Sequence, residues 1–168
     1  MGCAADKSGP LNQPLGNDLT IGSDGLAVRI VRPWAKDKIH YLRRYVEIFT
    51  GAMKDKWPRR VYVDLFSGPG RSRVEDTTEE IDGSPLIALR TRYPFTQLFF
   101  NDADPVATEA LRTRVGSPSA PVIFSSDDCN KAATSARDAL FSAGDARGTL
   151  GLAFIDPTAF QIGFDAMA

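Results

Sequence analysis

A chain of 168 residues with 43% hydrophobic content is long enough for one domain with a real core, and too apolar for a disordered segment. Its formal net charge of −1 sets up no global field toward nucleic acid or a membrane surface, although a local basic patch would suffice for either. Two cysteines, Cys3 and Cys129, and a single histidine, His40, argue against a disulfide framework and against a His/Cys zinc site.

No apolar run reaches membrane-spanning length and no signal peptide is legible, so the expectation is a cytoplasmic protein without a membrane partner. The Met1-Gly2-Cys3 start resembles a myristoylation signal, but that pattern asks for Ser or Thr where Asp6 stands.

Residues 1–25, rich in Gly, Pro, Asn, Asp and Ser, read as a flexible leader, with a single domain from 26 to 168. Leu26–Val31 is a short strand or extended arm, and Pro33 opens a helix over about Trp34–Ala52. Ile39, Leu42, Val46 and Phe49 form its apolar stripe, which Trp34 and Tyr45 widen. Lys36, Lys38, His40, Arg43 and Arg44 lie mostly off that stripe, as a solvated face or a basic surface for phosphate or an acidic partner. Val61–Asp64 is a buried parallel strand. After a glycine-bearing turn, the polar and acidic residues 71–82 read as an inserted surface loop, either a lid or an embellishment.

Ser84 as N-cap and Pro85 at the first helical position begin a helix that runs to about Arg92, before Pro94. Gln97–Asp102 is the second strand, followed by a helix over Val106–Val115. Val122–Phe124 is the third strand, followed by an alanine-rich helix from about Lys131 to Ala143. Leu150–Ile155 is the fourth strand, ending at Asp156-Pro157. Strands alternating with helices predict a parallel, Rossmann-like α/β sheet.

The chemistry concentrates after the strands. In such sheets ligands bind beyond the strand carboxyl ends. Asp64 ends the first strand, and Ser67-Gly68-Pro69-Gly70 follows it. Gly68 and Gly70 would let backbone approach a ligand closely, or simply make a tight turn. A P-loop is not matched, since no Lys-Ser or Lys-Thr follows Gly68, and a dinucleotide fingerprint fails because Arg73 stands where its third glycine belongs. Asp102, at the end of the second strand, is suited to the two hydroxyls of a ribose; its competing role is to cap the next helix together with Asp104. Asp128, after the third strand, is suited equally to an adenine amine or to capping.

An acid after each of four strands, in this order, resembles the class I S-adenosylmethionine-dependent methyltransferases. More narrowly, WAKDKIHYLRRY (Trp34–Tyr45), DLFSGPGR with GSPLIAL (Asp64–Arg71 and Gly83–Leu89) and AFIDPTAF (Ala153–Phe160) resemble the three-Cys-motif partner (TcmP) family, over roughly residues 30–165. The resemblance implies S-adenosylmethionine as cofactor and a phage-associated three-Cys-motif protein as partner. It implies that Asp64, Ser67, Gly68, Pro69 and Gly70 face the methionine moiety, that Asp102 holds the ribose and that Asp128 contacts adenine. It places Asp156 and Pro157 in the position of the Asp-Pro-Pro-Tyr motif, where acid and backbone carbonyl accept from the substrate amine, with Phe160 as the displaced aromatic.

The departures are Thr158 for the second proline and Ala159 in the aromatic's own slot. The family fold also carries more strands than this chain supplies. The expectation is therefore the N-terminal part of a methyltransferase-like domain, incomplete on one side of the sheet. Two other classes stay open: a non-catalytic partner module with the same fold, and another nucleotide-binding α/β enzyme that uses Asp64 and Asp102 for a metal.

Overall fold

In the computed structural model, residues 19–141 and 148–157 are described. They form strands β1 (Leu19–Ile21), β2 (Ala27–Val31), β3 (Arg59–Asp64), β4 (Arg71–Val74), β5 (Glu80–Asp82), β6 (Gln97–Asn101), β7 (Val122–Ser125) and β8 (Thr149–Phe154). The helices are α1 (Ala35–Met53), α2 (Ser84–Leu89), α3 (Pro105–Val115) and α4 (Cys129–Leu140).

The main sheet has the order β7-β6-β3-β8, with every pair parallel. Its strands show why a period of two builds a double-sided core. Tyr62, Leu98 and Phe100 turn to one face, against Leu42 and Val46 of α1, Leu86 and Ile87 of α2, and Leu111 and Val115 of α3. Val61 and Phe99 turn to the other, against Ala132, Ala136 and Leu140 of α4. The chain thus walks outward from β3 through β6 to β7, then returns on the far side of β3 to lay down β8. The strand order reverses between β3 and β8, and crevices for ligands form at such reversals.

The parallel α/β expectation is met, and the four strands expected for this sheet are all present within a residue or two. Three local expectations are corrected. Residues 71–82 are not a loop: β4 and β5 form an antiparallel hairpin, and β4 also pairs in parallel with β2. Residues 19–25 are not a free leader, because β1 pairs antiparallel with β2 and buries Leu19, giving a second sheet of order β1-β2-β4-β5. Trp34 and Tyr45 do not widen the buried stripe of α1; they are 60% and 56% exposed, while Leu42 and Val46 are buried and Ile39 and Phe49 pack beside them.

Smaller shifts occur at helix ends. Gly83, not Ser84, is the N-cap of α2, which stops at Leu89. Asp104 caps α3 by accepting from the Val106 N–H, and Asp128 caps α4 by accepting from the Asn130 N–H.

The turn after β3 depends on two glycines in left-handed backbone, Gly68 at φ +59° and Gly70 at φ +86°. A Cβ on Gly70 would come within 2.8 Å of Cδ1 of the fully buried Leu111, whereas nothing lies closer than 3.8 Å to one on Gly68. Gly70→Ala should therefore cost about 2–3 kcal/mol, from backbone strain plus overpacking, and Gly68→Ala about 1 kcal/mol, from strain alone. Urea unfolding midpoints check this, and equal losses at the two positions would contradict it.

Candidate functional site

Each acid singled out in the sequence follows a strand of the main sheet, and parallel pairing sets all four strand ends along one edge. Asp64 and Asp102 stand at adjacent strand ends: Asp64 pairs with Phe100 in the β3–β6 register, and Asp102 follows two residues on, just past β6.

The glycine turn is bound to that edge. The Ser67 N–H and hydroxyl both donate to the Asn101 carbonyl, at 2.8 and 3.0 Å. The Gly68 N–H donates to Asp102 Oδ2 at 2.9 Å, and the Asp104 N–H donates to Asp102 Oδ1 at 3.0 Å. Arg29 of β2 reaches the same Oδ2 at 3.4 Å. From below, the almost fully buried Arg114 of α3 donates to the Pro69 carbonyl (2.5 Å) and the Ala27 carbonyl (2.6 Å) and forms a two-pronged pair with Asp24. The Arg114 hydrogen bond holds the Asp24 carboxyl down at about 2.

Beside this turn lies a cavity of about 310 Å³. Its floor is the turn itself, Phe66 to Gly70, with Ser84 of α2. Its roof comes from the second sheet through Arg29–Arg32, Arg71, Ser72, Ile81 and Asp82. Trp34 and Lys38 of the α1 start, with Phe154 and Asp156 after β8, complete it. The cavity therefore opens at the β3–β8 reversal, where the fold places ligands. Its volume lies at the lower end of the range for small-molecule sites.

Asp64 is fully buried next to this floor. Its Oδ1 accepts from the Phe66 N–H at 3.2 Å, and its Oδ2 has no hydrogen-bond partner among the described residues. Burial pushes its carboxyl up to about 7; the nearby Ser84 hydroxyl and the Phe66 N–H draw it back, while the charges of Asp156 and Asp102 add to the rise. The Tyr62 hydroxyl, buried two residues earlier on the same strand, makes no hydrogen bond of good geometry among the described residues; burial raises it well above its ordinary value, and the neighbouring Asp64 carboxyl adds to the rise.

The residues expected at a site are thus divided. Ser67, Gly68, Pro69, Gly70 and Asp156 line the cavity; Asp64 lies behind its floor, and Asp102 anchors the turn from the other side. Asp128 is exposed at the α4 N-cap and does not line the cavity. Pro157 is the last described residue of this region, and Phe160 lies outside the described residues. Among the described residues no cluster of three or more His, Cys, Asp or Glu is placed to hold a metal, and no helix is long and apolar enough to cross a membrane.

Three contributors escaped the sequence reading. Arg29 and Arg114 sit in segments with no motif, and Lys38 counted only as part of a charged helix face. Lys38 Nζ in fact donates to Asp156 Oδ2, across 118 residues of chain.

No protein-family model and no curated protein matches the chain. Among solved structures, protein LPL1258 from Legionella pneumophila strain Philadelphia 1, of the family model DUF519, is similar with a TM-score of 0.50 and 16% identity. The match covers 70% of this chain and 55% of that one, so the chain spans about half the length of that structure. At this identity the likeness concerns the fold alone.

The Asp64 carboxyl ionises at about 7 in the fold against 3.8 ordinarily. The folded state therefore holds its proton longer, so this group's contribution to stability is full below pH ~4 and is lost as pH rises to ~7. Asp64→Asn removes that loss. Relative to the parent, the variant should gain about 3 kcal/mol between pH ~4.5 and pH ~7.5, read from urea unfolding at both values. The depressed Asp24 has the opposite slope but acts below that window. An unchanged difference between the two pH values would show that Asp64 is ionised in the folded protein throughout.

Proposed function

We propose that this chain is an S-adenosylmethionine-dependent methyltransferase of the three-Cys-motif partner type, acting on an amine of a nucleic acid or protein in company with a three-Cys-motif protein. One observation carries the reading. A buried carboxyl with an unpartnered oxygen, Asp64, stands behind a glycine turn at the strand-order reversal, with a second carboxylate, Asp102, just past the end of the adjacent strand.

The donor set fits the cofactor's chemistry. An α-amino-acid sulfonium carries positive charge on sulfur and amine, which Asp64 behind the turn and Asp102 beside it complement, and a carboxylate, which Arg29, Arg32 and Arg71 of the cavity lining complement. Glycine at position 68 leaves the backbone of the turn unshielded, with nothing closer than the Arg29 side chain at 3.8 Å to where a Cβ would stand. When bound, the cofactor supplies an electrophilic methyl group. The chain's own part is to bind and orient. Asp64 and the Ser67–Gly70 backbone would hold the methionine portion, and Asp102 would accept from a ribose hydroxyl on the Oδ1 lone pair left free by the Asp104 N–H, Oδ2 already accepting from the Gly68 N–H and Arg29. Asp128 would take the adenine edge. Asp156 and the Pro157 carbonyl would accept from the substrate amine and aim its lone pair, so that the rate gain is chiefly positional.

The second reading, a partner module without catalysis, draws on α1, where Tyr41 and Ile48 are 69% and 68% exposed in line with Tyr45. An aromatic stripe of this kind on a helix suits a protein contact.

Calorimetric titration with S-adenosylhomocysteine separates the two. The parent should bind with micromolar affinity. Asp102→Ala should weaken binding by about 100-fold, because it removes an acceptor and the anchor of the turn together, while Asp156→Ala should stay within about threefold. No heat with the folded parent discards the methyltransferase reading in favour of the partner module.

A further inference from the structure

We infer that the mouth of the cavity recognises an aliphatic ammonium group, the side-chain amine of a lysine on a polypeptide, and that Lys38 is its built-in occupant. The choice of acceptor deepens the methyltransferase reading and rests on it; the recognition site does not.

The Lys38 ammonium is gripped from two directions. Asp156 Oδ2 accepts its hydrogen bond, and the Trp34 ring lies with its centroid 5.3 Å from Nζ. Trp34, Lys38 and Asp156 all line the same cavity. A carboxylate opposed to an aromatic face is complementary to a compact cation on an aliphatic stem. It is poorly matched to the amine of a nucleobase, which is flat and neutral and gains nothing from the carboxylate's charge.

Two features mark the arrangement as a site that Lys38 can leave. Trp34 is 60% exposed, so the ring is offered to the mouth rather than committed to the core. The side chains of Lys38 and Asp156 are 34% and 43% exposed, and ion pairs this open to water are weak, so an incoming cation can replace the resident one. Lys38 stands in the first turns of α1, and its flexible stem can swing to solvent without moving the helix.

The test needs no cofactor. Lys38→Met keeps the stem and removes the charge. Nα-acetyl-lysine amide, titrated against this variant and followed by Trp34 fluorescence in a Trp57→Phe background, should bind at least about tenfold more tightly than to the parent. Adding Asp156→Asn should abolish the gain, and Nα-acetyl-norleucine amide and cytidine should not bind. In the parent, saturating Nα-acetyl-Nε-trimethyl-lysine amide, whose quaternary ammonium cannot be acylated, should raise the reactivity of Lys38 toward acetic anhydride, mapped by mass spectrometry, a readout that does not depend on any variant folding.

Equal affinity in parent and Lys38→Met, insensitivity to Asp156→Asn, unchanged Lys38 reactivity, or preference for cytidine would each overturn the proposal and leave a plain surface ion pair. Binding of the lysine amide with no heat from S-adenosylhomocysteine keeps this site and discards the enzyme. The reverse pair of results keeps the enzyme and discards this site.

Discussion

The site depends first on how the turn after β3 is tied to the end of β6. Backbone donors of Ser67 and Gly68 reach the Asn101 carbonyl and the Asp102 carboxylate, and the Asn101 amide returns a bond to the Leu65 carbonyl. A hydrogen bond from an N–H to an ionised, largely buried acceptor is stronger than a neutral one and costly to leave unmade. With it, two neighbouring strand ends and the glycines between β3 and β4 become one ledge. Arg29 joins the ledge to the second sheet through Asp102, and Arg114 joins it to α3 through the Pro69 carbonyl. Asp102 is thus a structural anchor whatever else it holds, which is why its loss acts on loop and ligand together.

Asp64 is the counterpart to that satisfied network. Next to a ledge where nearly every donor has an acceptor, one carboxyl oxygen and one phenol hydroxyl are buried with no hydrogen bond of good geometry among the described residues. Leaving such groups unpaired is costly, and proteins tolerate the cost most often where a ligand group completes the pairing. The apolar faces of this sheet are packed throughout, from the alternating Tyr62 and Val61 to the paired faces of Phe99 and Phe100. Arg60 Nε, near the opposite end of β3, is also buried without a partner among the described residues, so what sets Asp64 apart is its place at the strand-order reversal.

Much of this was legible in the residues. Apolar runs ending in acids mark β3, β6, β7 and β8, because strands buried on both faces need continuous hydrophobicity and the polar residue marks where burial stops. The stripe Leu42–Val46 marked the inner face of α1 for the same reason. In the second sheet β2 was legible as an apolar stretch, but the β4–β5 hairpin was not, because charges join its two strands. Across the β4–β5 hairpin Arg73 meets Glu80 and Arg71 meets Asp82, and the Ser23 N–H and hydroxyl both donate to Glu80. A hairpin sewn by charges reads as a polar loop, since period-two alternation never appears. The role of Lys38 was hidden for another reason. Its partner Asp156 is distant in sequence, and only the closing of β8 onto β3 brings them together.

The two sheets also divide the cavity in time. Its floor belongs to β3, whose pairing with β6 and β8 is backed by the main core on both faces. Its roof belongs to strands three to five residues long, in which β2 and β4 meet only after α1 and β3 have been laid down between them. Short strands held by half-exposed ion pairs open at lower free energy than the core they cover. The amide hydrogens of the roof should therefore exchange faster than those of β3 and β6 beneath it, so that the two walls of one cavity answer to different folding units.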